Sequence, residues 1–233
     1  MAYNSHMYNR YLSSILIVLG IGSGLVGNYS NSTPNSSKLL PPDFAFGIWA
    51  VIYATGIYVV YKLLKNQLEV DPVGIFLIAL GYFLSGLWIR VDGHPLTVAI
   101  LAICTLLANV SSIYVLKRSS IQRTVLNLLA TFAGWITIAT SLVLADALRI
   151  STSSDRKVAV YLAASLAVAF AIFLALNTVY GYIGTVAWAT FSLLFSKSSL
   201  GAPGYIVNLV GFSLSFFLLF LLWRKWIPRK HSR

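Results

Sequence analysis

Charge is scarce in this chain, and acidic charge most of all. Its 233 residues include six Asp or Glu and seventeen Lys or Arg, 10% charged in all against 58% hydrophobic, whereas soluble globular domains carry about 25% charged residues. The acids Asp43, Glu69, Asp71, Asp92, Asp146 and Asp155 all fall at or near the ends of apolar runs, and His6, His94 and His231 are isolated outside those runs. Proton-driven pumps and transporters need a carboxylate or His relay inside the membrane, and none is present. A retinal protein needs a mid-helix Lys, but Lys197 sits at the end of a run. Intramembrane metalloproteases need a paired H-E-x-x-H-type site, and prenyl-transfer enzymes need Asp-rich metal sites. Both are missing, so the chain reads as a non-enzyme with no catalytic and no metal-binding residues. Cys104, the single cysteine, has no partner for an internal disulfide and is expected to be a small buried apolar residue.

What the chain has instead is apolar length. Blocks of about 18 or more apolar residues need a bilayer, and this chain has room for about eight. The expected spans are residues 11–28, 43–64, 73–89, 96–116, 125–144, 158–176, 183–195 and 205–223. The fold class is therefore all-α, a polytopic transmembrane helix bundle. In the alternative, seven-span reading, the closely spaced sixth and seventh runs form one re-entrant element. The first run could serve as the apolar core of a signal peptide, but Gly20, Gly24 and Gly27 suit a retained helix packed closely on its neighbours. Pro41-Pro42 ends the polar stretch 29–40 and suits the first turn of the second helix. N-x-S/T patterns at Asn28, Asn31 and Asn35 are expected by chance in so Ser- and Asn-rich a stretch.

The formal net charge of +11 does not indicate nucleic acid, because the basic residues sit at span ends, where they orient helices and meet anionic head groups. With eight spans one side holds Arg10, Lys62, Lys65, Lys117, Arg118, Arg123, Arg224, Lys225, Arg229, Lys230 and Arg233; the other holds Lys38, Arg90, Arg149, Arg156, Lys157 and Lys197. The positive-inside rule then places both termini in the cytoplasm.

Aromatic residues make up 14% of the chain, with six Trp. Trp223 and Trp226, beside Arg224 and Lys225, fit interfacial anchors. Trp49, Trp135 and Trp188 lie deeper, and an indole N–H in hydrocarbon is expected to face the bundle interior. Trp49 and Tyr53, four apart, share one face of the second helix. Ala163, Ala167, Ala171 and Ala175 form a small-residue stripe on the sixth, a pattern that internal packing explains more readily than a partner helix.

Three segments carry a family resemblance. The stretch Pro41-Pro42-Asp43-Phe44-Ala45-Phe46-Gly47-Ile48-Trp49-Ala50-Val51-Ile52-Tyr53 resembles the first loop and second helix of the TspO/MBR (tryptophan-rich sensory protein / translocator protein) family. Phe83-Leu84-Ser85-Gly86-Leu87-Trp88 is similar to the Trp-bearing end of that family's third helix, and Ala133-Gly134-Trp135-Ile136-Thr137-Ile138-Ala139-Thr140-Ser141-Leu142 to its fifth-helix segment. Val143 stands where the family carries an Asn. The resemblance implies a five-helix unit over residues 1–147, with residues 148–233 as a three-helix extension in the same membrane domain. It also implies binding or sensing of a flat apolar ligand, a tetrapyrrole, sterol or isoprenoid, between the first, second and fifth helices. Trp49, Tyr53, Trp88 and Trp135 would offer stacking faces, and Ala139 room beside them. The other readings are a transporter of small or lipophilic solutes and a structural subunit that assembles with its own copy or with a membrane complex.

Overall fold

The computed structural model of the chain describes residues 2–26, 41–68, 70–88, 90–91, 94–119, 121–150, 154–176, 180–193, 195 and 211. The expected eighth span apart from residue 211, residues 27–40 with the N-x-S/T patterns, and Lys38, Lys197, Trp223 and Trp226 lie outside them. Among the described residues the fold is all-helical, with α1 (Ala2–Val26), a 3₁₀ turn (Asp43–Gly47), α2 (Ile48–Leu64), α3 (Pro72–Trp88), α4 (Pro95–Leu116), α5 (Arg123–Ala147), α6 (Asp155–Leu176) and α7 (Tyr180–Leu193).

Local chemistry sets the boundaries. α1 starts ahead of its apolar run because a helix, once nucleated, extends by one hydrogen bond per residue. Proline occupies the first helical position of α3 and α4, where its missing N–H costs nothing. Asp71 Oδ1 caps α3, accepting the N–H groups of Val73 at 2.8 Å and Gly74 at 3.3 Å. α2 and α5 each end at a left-handed non-glycine residue, Asn66 (φ 53°) and Arg149 (φ 54°).

Among the described residues, five segments are long and apolar enough to cross a membrane: Met7–Val26, Asp43–Leu64, Pro95–Leu116, Arg123–Ala147 and Arg156–Leu176. α3 is apolar with 17 residues, roughly 26 Å at 1.5 Å per residue. α7, with 14 residues, is shorter again. The chain is an integral membrane protein.

The first five helices form a ring in the order α1, α3, α4, α5, α2, with α2 held to α1 and α5 through thinner seams than the others. α7 lies along the outside of α5, while α6 touches α4, α5 and α7 only lightly. Glycine sets the close seams. A Cβ at Gly20 would lie 2.2 Å from the Tyr82 carbonyl oxygen, and one at Gly86 would lie 2.7 Å from that of Gly20, so α1 and α3 touch backbone to backbone. A Cβ at Gly134 would come within 2.4 Å of the Tyr182 oxygen, and one at Gly181 within 1.8 Å of the Asn127 oxygen. The α5–α7 seam is built the same way, and these pairings make the two helices parallel. Lipid offers no hydrophobic drive between helices, so such backbone approach carries the packing energy.

Two expectations are corrected. Cys104 is exposed because it falls on the outer face of α4, where an apolar side chain meets lipid tails as readily as protein. Ala163, Ala167, Ala171 and Ala175 are likewise exposed: among the described residues no helix covers this face of α6, so the stripe does not serve packing within the described bundle.

Candidate aromatic site inside the helix ring

The 3₁₀ turn and α2 deliver three aromatic residues inward at helical spacing. Phe46, Trp49 and Tyr53 are separated by three and four residues, so they stack on one face. α5 supplies Phe132 and Trp135, three apart, and α3 supplies Tyr82. The Trp49 ring lies 5.4 Å from Tyr53, 6.1 Å from Phe132 and 6.3 Å from Trp135, centroid to centroid. Phe46 meets Trp135 edge-on at 5.9 Å, and Phe132 meets Tyr82 at 4.7 Å. Tilted and edge-to-face pairs at these separations contribute roughly 0.5–1.5 kcal/mol each beyond area burial.

The polar atoms of this cluster divide into two kinds. The Tyr82 hydroxyl donates to the Ile52 carbonyl at 2.8 Å, tying α3 to α2. The indole Nε1 atoms of Trp49 and Trp135 have no hydrogen-bond partner, although the two residues are only 6% and 3% exposed. A buried donor without an acceptor costs about 1–3 kcal/mol. The two donors stand on rings whose centroids are 6.3 Å apart. The cluster contains no His, Cys, Asp or Glu, and no group of three or more such residues that could hold a metal ion occurs among the described residues.

The structure thus brings together three of the five residues expected at the site: Trp49, Tyr53 and Trp135. Ala139 lies one turn beyond Trp135 on α5 and is half-buried. Trp88 is buried at the last residue of α3, and no ring pair joins it to Trp49 or Trp135. Sequence reasoning missed Phe46, Phe132 and Tyr82. The first two carried a usable signal, since each stands three residues before a site Trp. Tyr82 carried none, because only the α1–α3 glycine seam decides which way α3 faces.

Trp188 departs from its expected place. At 39% exposed it sits on the outer side of the bundle, and its indole N–H donates to the Ala45 carbonyl at 3.3 Å. Its ring lies edge-on to Phe44 at 5.7 Å. α7 sits outside the ring of helices, so a mid-helix Trp in α7 reaches the 3₁₀ turn rather than the interior.

A family model described as TspO/MBR family matches residues 13–148, more than half of the chain. No curated protein and no solved structure matches the chain.

Proposed function

The chain belongs to the TspO/MBR family, and on that premise we propose that it is a membrane binding or sensor protein for a flat apolar ligand of the tetrapyrrole, sterol or isoprenoid type. The observation that carries this reading is the pair of buried, unpartnered indole donors on Trp49 and Trp135. A ligand with an acceptor edge would satisfy them, and the surrounding rings would stack on its faces. The thin α2 seams favour α2 as the side on which it enters. The reading is non-enzymatic: the cluster offers stacking faces and hydrogen-bond donors, and its residues include no His, Cys, Asp or Glu.

The same proposal divides the chain at about residue 147, with an eight-span bundle and both termini cytoplasmic. In support, Arg10, Lys62, Lys65, Lys117, Arg118 and Arg123 gather at one end of the helices, against Arg90, Arg149, Arg156 and Lys157 at the other. The bilayer is the constant partner. The exposed alanine face of α6 favours a second copy of the chain or another membrane protein as a further one.

Porphyrin titration of the purified protein in detergent, read by quenching of tryptophan fluorescence, tests the pocket. Trp135→Ala is expected to weaken binding about tenfold, equivalent to about 1.4 kcal/mol. Unchanged titrations across Trp49, Tyr53 and Trp135 variants would reject the pocket.

A further inference from the structure

The 3₁₀ turn has a different neighbour on each of three consecutive residues. Phe44 points outward, edge-on to Trp188 at 5.7 Å and to Phe195 at 5.9 Å. Ala45 is fully buried, and its carbonyl accepts both the Ile48 N–H and the Trp188 indole N–H. Phe46 turns inward onto Trp135, and Trp49 follows three residues later. A 3₁₀ turn has poorer hydrogen-bond geometry than an α-helix, and this one leads directly into α2. It is held by its own backbone bonds, among them Ala45 N–H to the Pro42 carbonyl at 2.9 Å and Ile48 N–H to the Ala45 carbonyl, and by what is packed against it.

α7 is well placed to hold it. Its N-terminal half is locked to α5 through Gly181 on Asn127, Tyr182 on Gly134, and the Tyr182 hydroxyl, which donates to Thr137 Oγ1 at 3.0 Å while Thr137 donates to the Ala133 carbonyl at 2.8 Å. Its C-terminal half reaches the 3₁₀ turn. α5 carries Trp135 and the 3₁₀ turn leads into Trp49, so α7 bridges the two walls of the aromatic cluster from outside.

We propose that α7 is a strap across the aromatic site and that Trp188 is its positioning residue, holding the 3₁₀ turn so that Phe46 and Trp49 stay closed against Trp135. The inference rests on the cluster being the ligand site. It gives residues beyond the five-helix ring a defined role: they set how fast the site opens. Opening requires the Trp188–Ala45 bond to break, so that bond gates ligand arrival and departure together.

Trp188→Phe tests this, because it keeps a ring against Phe44 and removes only the N–H. Loss of a net hydrogen bond of about 1 kcal/mol corresponds to about fivefold in the opening equilibrium. Backbone hydrogen exchange in the ligand-free protein is therefore expected to rise about fivefold at residues 45–48, with residues 130–138 of α5 unchanged. Stopped-flow mixing with protoporphyrin should show association and dissociation both about fivefold faster, with Kd altered less than twofold. Phe44→Leu, which weakens the ring contact and spares the indole bond, should move the same amides by a smaller factor. Unchanged exchange at 45–48 overturns the strap, as does an increase that spreads equally into α5. Faster dissociation with unchanged association overturns it too, since that is the signature of a lost ligand contact. If wild-type protein fails to bind porphyrin, the ligand reading falls while the exchange measurement still decides the strap.

Discussion

α5 and α6 are neighbours in sequence, similar in length and both apolar enough to cross a membrane, yet they sit in the bundle very differently. Of the most apolar 18-residue stretch of α5, 61% is buried inside the protein; for α6 the figure is 22%, although α6 is the more apolar helix. In water the order would be reversed, because apolar surface drives burial. In lipid the tails solvate Leu and Val as well as a core does, and burial follows backbone access and polar groups. α5 carries Gly134 and a run of hydroxyls, each with a partner: Thr137 meets Tyr182, Thr140 donates to the Ala102 carbonyl at 3.2 Å, and Ser141 donates to the Thr137 carbonyl at 3.0 Å. α6 has Tyr161, whose hydroxyl donates to the Ser141 carbonyl at 2.6 Å, and little else that reaches its neighbours through polar atoms.

Substitution can break this contrast in either helix. The largest effect is expected for Phe132→Ala on α5, which empties the contact between Trp49 and Tyr82. It should destabilise the fold by about 3 kcal/mol, the lower end of the range for such truncations in water-soluble cores, because lipid supplies no transfer contribution. Unfolding by SDS in mixed micelles measures it. Next comes Gly134→Ala, where one methyl group must push against the Tyr182 carbonyl. A cost of about 1–3 kcal/mol is expected, together with loss of α7 protection in hydrogen exchange. The smallest effect is expected for Ala167→Leu on α6. It adds three carbons to a lipid-facing position and should change stability by less than about 0.5 kcal/mol. A large loss there would show that the alanine face is covered in the membrane, and the contrast between the two helices would fail.

Much of the ring was legible in the sequence, because run length and prolines mark helices whatever they pack against. The spans expected at 43–64, 73–89, 96–116 and 125–144 correspond to α2 with its 3₁₀ turn, α3, α4 and α5 within three residues at every end. Gly20 and Gly24 announced the close approach of α1, and Trp49–Tyr53 spacing announced the α2 half of the site. Facing directions were harder. Cys104, Trp188 and the α6 alanines were all assigned inward, because hydrophobic character distinguishes interior from exterior only in water. Between lipid and protein it does not discriminate, and only the mates of each glycine and hydroxyl, which lie on other helices, fix the orientation.

The parallel run of α5 and α7 gives α6 a meaning that its sparse packing obscures. Two helices that run in the same direction cannot be joined by a short turn; the chain must first travel back along them. α6 is that return path. Its length and its greasy, featureless surface answer the demand of transit, and its two ends are the parts that must be right. At one of them Lys117 donates to the Leu176 carbonyl at 2.9 Å, mooring the finish of the crossing beside the start of α5, so that the chain re-enters where α7 can find its glycine seam. Selection on such a segment would then act on how far it reaches and where it lands, leaving most of its surface free to drift among apolar residues or to be claimed by a companion in the membrane.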